Sequence, residues 1–111
     1  MQRIFLIILV LFGLNYGFTQ NSEVLADSYY KKGAFKKALI IYQNLNKEKP
    51  YSYKYIYRLV ETHQQLEQYE IAENILVKRL EKRRNPTLLI ELGYNFQLKD
   101  SIDKAVKYYN E

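Results

Sequence analysis

The residue types that could do chemistry are few, and their spacing argues against catalysis. His63 is the single histidine, and the chain has no cysteine. It therefore has no disulfide, thiolate metal site, cysteine nucleophile or lipidated cysteine. The run His63-Gln64-Gln65-Leu66-Glu67 is not the zinc-protease motif, which needs a glutamate directly after the first histidine and a second histidine four residues on. No second histidine or paired carboxylate stands at ligand spacing from His63. Gly-rich phosphate loops and the G-x-S-x-G elbow are absent. These residues predict a protein that is not an enzyme and carries no metal or cofactor.

The elements that would position any site follow from the apolar periodicity. Between Leu25 and Pro50, Leu25, Ala26 and Tyr29 fall on one face of a short helix. Gly33 breaks the run where a tight turn needs a residue without Cβ. Phe35, Ala38, Leu39 and Tyr42 restart the period, and Pro50 ends it. The pattern then recurs. Leu25 is answered by Leu59 and Leu92, Tyr29 by His63 and Phe96, and Phe35 by Tyr69 and Ile102. Ala38 is answered by Ala72 and Ala105, and Tyr42 by Leu76 and Tyr109. Each first step is 34 residues and each second step 33. A period of this size marks an array of helix-turn-helix units. The alanine column predicts close helix crossings, and the columns of large residues predict the layers between hairpins. His63, in the column of Tyr29 and Phe96, is expected to pack.

On these residues the sequence resembles the tetratricopeptide repeat family, whose pattern runs W-x2-L-G-x2-Y, then A-x3-F, then P. Leu25, Ala26, Tyr29, Ala38, Tyr42 and Pro50 match in the first unit. Leu59, Val60, His63, Ala72 and Leu76 stand in the second, and Leu92, Gly93, Phe96, Ala105 and Tyr109 in the third. The family's leading tryptophan is missing, its positions held by Ser22, Ile56 and Leu89. The resemblance implies an all-α fold of antiparallel helix-turn-helix repeats stacked as an α-solenoid. The repeats would span about 20–52, 53–85 and 86–111, the last incomplete.

The helix ends are legible too. Ser22 and Ser52 are expected N-caps for helices running to Lys32 and Leu66. Phe35 to about Lys47 and Tyr69 to about Arg84 are the second helices of their pairs, with Glu67-Gln68 turning without a glycine. Lys78, Arg79, Lys82, Arg83 and Arg84 sit where the dipole of the fourth helix favours cations. Asn85-Pro86 is a cap followed by proline at the first helical position. A fifth helix is expected to end near Leu98, and Asp100 or Ser101 to cap a sixth. Because a solenoid ordinarily closes on a helix with a polar outer face, a chain stopping inside that sixth helix reads as the N-terminal piece of a longer protein; a short protein with a frayed end is the alternative. The alternation of Tyr51, Tyr53, Tyr55 and Tyr57 suggests a strand, but the repeat register places a helix there. Most of these rings are expected to pack between hairpins, with Tyr57 the exception.

Residues 1–19 read as a leader. Arg3 is followed by an apolar run from Ile4 to Leu14, shorter than the ~20 residues a membrane span needs and of the length of a signal-peptide core. Gly17 and Thr19 suit a cleavage site before Gln20; an uncleaved anchor is the alternative. The chain is expected to be exported to the periplasm, cell envelope or medium, with no membrane span left after cleavage.

The net charge is +5, from 17 Lys and Arg against 12 Asp and Glu. The charges interleave along helix faces, the pattern of a solvated surface rather than of a nucleic-acid stripe. The family binds extended peptides or helices in the groove formed by the first helix of each repeat. Carried over, that groove is Glu23, Asp27 and Tyr30, then Lys54, Tyr57, Glu61 and Gln64, then Ile90, Tyr94 and Gln97. Glu23 and Asp27 replace the Lys and Asn with which some members clamp a C-terminal carboxylate, and would repel one. The resemblance thus implies a non-catalytic protein-interaction scaffold with a protein or peptide partner. The alternative is the ectodomain of a larger envelope sensor or structural protein whose activity lies beyond Glu111.

Overall fold

The computed structural model describes residues 21–109, with side chains to Asp103. The leader assigned to 1–19 and the side chains of Ala105 and Tyr109 lie outside the described residues. The chain is all-helical there. Residues 21–31 form α1, and α2 (Phe35–Glu48), α3 (Tyr53–Gln65), α4 (Tyr69–Lys82) and α5 (Pro86–Tyr109) follow. Adjacent helices pack in pairs.

Two turns reverse the chain in the same way. Gly33 lies at φ 81° and Glu67 at φ 61°. Gly33 N donates to Tyr30 O at 3.1 Å and Ala34 N to Tyr29 O at 2.8 Å. At the second turn Glu67 N donates to Gln64 O at 3.0 Å and Gln68 N to His63 O at 2.8 Å. Both are left-handed helix stops that satisfy the last carbonyls. Glycine adopts this conformation freely, whereas Glu67 holds it under strain.

The expected third turn is absent. Position 100, which answers Gly33 and Glu67, is occupied by Asp100 inside an unbroken α5. The expectation of a fifth helix ending near Leu98 and a capped sixth is therefore corrected. Residues 97–101 contain neither glycine nor proline, so nothing local compels the backbone out of the helix. Lys99, held 3.6 Å from Glu70 of α4, is accommodated in that straight path.

The core forms two layers. Ala26 of α1, Ala38, Tyr42 and Leu45 of α2, and Tyr55 and Leu59 of α3 make the first. Ile56 and Val60 of α3, Ala72 and Leu76 of α4, and Leu88 of α5 make the second. Ala26, Ala38 and Ala72 are fully buried, and burial of each large side chain such as Leu76 contributes about 1.5–3 kcal/mol. The tyrosine run is helical from Tyr53 onward. Tyr55 enters the first layer, Tyr53 and Tyr57 lean on the second, and Tyr51 stays exposed. Tyr57, expected to stand apart, is half-buried.

Helix ends are fastened by particular side chains. Asn85 Oδ1 accepts from Thr87 N at 2.8 Å and caps α5. Ser52 precedes α3 but makes no side-chain cap bond. Arg79 does more than complement a dipole. Its guanidinium lies 5.4 Å from the Tyr51 ring centre and 5.3 Å from that of Tyr53, and Nη2 donates to Tyr51 O at 3.3 Å. These cation–π contacts pin the α2–α3 connection to the end of α4. A hydrogen bond with Asn85, aided by the charges of Arg79 and Arg83, holds the Tyr53 phenol below its usual range.

Candidate functional site

Helices α1 and α3 lie side by side, and their shared surface carries two groups of paired charges. Arg58 stands at the centre of one. Its Nε is 3.7 Å from Asp27 Oδ1, and its Nη1 donates to Glu61 Oε2 at 3.3 Å. The guanidinium also covers the Tyr30 ring at 5.9 Å. Asp27 accepts a hydrogen bond from the Tyr42 hydroxyl, which rises from the core beneath. Near the start of α1, Glu23 pairs with Lys54 and accepts from Tyr55 Oη at 3.1 Å.

Burial and these carboxylates push the phenols up. Tyr42 is raised by burial first and by its bond to Asp27 second; Tyr55 is raised by burial and then by Glu23. Both hydroxyls therefore stay protonated and act as donors. Lys54 is raised by its hydrogen bond to Glu23, which keeps it a cation. Glu91 of α5 is raised by burial, with the Glu61 charge second, so the network's field reaches the neighbouring helix.

The expected groove residues separate into three kinds. Asp27, Tyr30 and Glu61 come together around Arg58, while Glu23 and Lys54 pair with each other. Ile90, Tyr94 and Gln97 are exposed along α5, Ile90 at 71% and Tyr94 at 51%. Tyr57 leans on the second core layer, and Gln64 is buried. Gln64 Nε2 donates to Asn95 Oδ1 at 3.3 Å, and Asn95 Nδ2 to Tyr69 O at 2.9 Å. These two amides key α5 into the furrow between α3 and α4, so Gln64 is spent inside the protein. His63 is likewise buried, its Nδ1 2.8 Å from Gln68 Oε1.

Sequence reasoning missed Arg58 and Asn95. Arg58 had one local signal, its placement three residues before Glu61. Asn95 had none, because its partners are 31 and 26 residues away.

The carboxylates Glu23, Asp27 and Glu61 of this surface are engaged by cations and phenols. Among the described residues no group of three or more His, Asp or Glu side chains converges as metal ligands, and no helix is long and apolar enough to cross a membrane. Comparison with protein-family models and with curated proteins finds no match for this chain.

Proposed function

We propose that this chain is an exported, non-catalytic interaction scaffold of the tetratricopeptide-repeat type, which binds a polypeptide partner along the face of α1, α3 and α5. The reading rests on one observation above the rest: two helix stops, 34 residues apart in the sequence, close with the same pair of hydrogen bonds. Repetition at that period is the physical basis of stacked hairpins, whose first helices line up and offer a continuous face. Glu23, Asp27, Glu61 and Glu91 outnumber Lys54 and Arg58 on this face, while the whole chain is basic. A partner segment bearing lysine or arginine beside an apolar anchor suits it, with Ile90 and Tyr94 as the apolar contact.

The binding test uses Tyr94→Ala, because Tyr94 is exposed and its truncation leaves both core layers intact. Wild type and variant are immobilised, their helicity is compared by circular dichroism, and recovered envelope proteins are identified. Loss of about 2 kcal/mol in the affinity of a recovered partner supports the face; equal affinity removes it. Export is tested separately. N-terminal sequencing of the exported chain should begin at Gln20, and a mature chain that keeps Arg3 overturns that part.

A further inference from the structure

Successive helices reverse direction, so the close of α2, the connection into α3 and the close of α4 meet at one end of the bundle. Arg79 fixes that meeting, with its guanidinium against the Tyr51 and Tyr53 rings and its Nη2 donating to Tyr51 O at 3.3 Å. Lys47 and Lys49 stand at the end of α2, and Lys78, Lys82, Arg83 and Arg84 at the end of α4; all six are exposed. Glu48 and Glu81 are the acidic residues within these two segments. Among the described residues none of the six cations forms an ion pair, whereas Lys54, Arg58 and Lys99 each hold a carboxylate. The order of the chain hides this cluster, because its two segments come together only when the helices pack.

Like charges held together repel one another and oppose the compact state. The helix dipoles favour Lys47 and Lys82, which fall in the last turns of α2 and α4. A helix end presents only about half an elementary charge, however, so two such ends leave most of the six cations unneutralised. Tyr51 stands beside them and is 75% exposed. An exposed tyrosine among lysines and arginines has the two parts of an interfacial anchor. The ring sits at the level of the lipid headgroups, and the long cationic side chains reach the phosphates while their methylene stems stay against apolar surface. A nucleic-acid strand asks for cations in a track with free rings on which bases stack. Here the cations surround two helix ends, and the Tyr51 ring already carries the Arg79 guanidinium.

We propose that this end of the molecule docks on an anionic lipid surface, with the six cations at the lipid phosphates and Tyr51 in the interface. The contact is peripheral, since among the described residues no helix is long and apolar enough to cross a membrane. It does not use Ile90 or Tyr94 and does not depend on the partner-binding reading above.

The test is co-sedimentation of the full chain with phosphatidylcholine vesicles, with and without about one-third phosphatidylglycerol. Residues 1–20 are the same in every variant, so differences between variants read this end alone. Arg83→Glu combined with Arg84→Glu should weaken binding to the anionic vesicles by about tenfold or more. Lys31→Glu combined with Lys32→Glu makes the same change of charge at exposed positions beside the Gly33 turn, at the other end of α2, and should weaken it less than about twofold, because that end lies beyond the screening length. Tyr51→Ala should weaken it several-fold. Circular dichroism confirms that each variant keeps its helices. Four results overturn the proposal. One is equal binding of the wild type to neutral and anionic vesicles. Another is equal loss from the two double variants, which means that net charge rather than this end is read. The third is a Tyr51→Ala chain that binds the anionic vesicles as the wild type does. The fourth is tighter binding to a duplex oligonucleotide than to anionic vesicles, lost in the Arg83 and Arg84 variant, which assigns this end to nucleic acid.

Discussion

Gly33 and Glu67 stand 34 residues apart and hold the same left-handed backbone, at φ 81° and φ 61°. One is the residue built for that conformation, and the other carries a Cβ against the following carbonyl. Glu67 is exposed and its turn bonds are all main-chain. Glu67→Gly should therefore relieve strain without removing a contact, and stabilise the fold by about 0.5–1 kcal/mol. Urea unfolding monitored by circular dichroism measures it. A lower midpoint would show that the side chain contributes more than the strain takes away.

Ala72 is fully buried in the layer of Val60, Leu76 and Leu88. Ala72→Leu should overpack that crossing and lower stability by about 1–3 kcal/mol. The same melt on Ile71→Leu, at an exposed position one residue earlier, is the control and should stay near wild type. Equal effects of the two changes would place the helix crossing elsewhere.

Asn95 is fully buried and joins Tyr69 O to Gln64. Asn95→Ala removes both bonds and leaves the Gln64 amide unpaired, at a cost of about 1–3 kcal/mol. The loosening should be local. Hydrogen exchange of the α5 amides is expected to accelerate while that of α2 holds. Uniform acceleration would mean that the two layers unfold together.

Burial beside Glu61 raises the Glu91 carboxyl above the usual range. A raised folded-state pKa means that the folded chain holds this proton more tightly than the unfolded chain. Glu91 thus favours folding below its unfolded pKa of about 4, and that contribution is lost as pH rises through the folded value. At pH 7 the ionised group opposes folding. Glu91→Gln should raise the unfolding midpoint at neutral pH and bring little change near pH 3. A variant equally or less stable at pH 7 would show that the carboxylate has a compensating partner.

Much of the fold was legible in the chain because helix periodicity is a local property. The spans around Phe35, Tyr53 and Tyr69 follow from apolar spacing, and the alanine column marks the crossings at Ala38 and Ala72. Asn85 was readable as a cap because its partner is two residues away. The end of α5 was not. Asp100 tolerates both a turn and a helix, and an offset column does not say which conformation wins where no residue forbids either. In the site, the family resemblance put Glu23, Asp27, Tyr30, Lys54 and Glu61 on one groove, yet Arg58, which joins Asp27, Tyr30 and Glu61, was not among them. Gln64 held the same register and was taken inward by Asn95.

The sequence by itself determined where helices form, where Gly33 must turn and which faces are apolar, since each depends on neighbours within a turn or two. Tertiary structure decided which charges meet, that Gln64 and His63 are enclosed, that α5 runs unbroken, and that Leu89, Gly93 and Phe96 are left open. Those outcomes depend on groups tens of residues apart, whose approach is set by the packing of whole helices rather than by any local preference of the residues themselves.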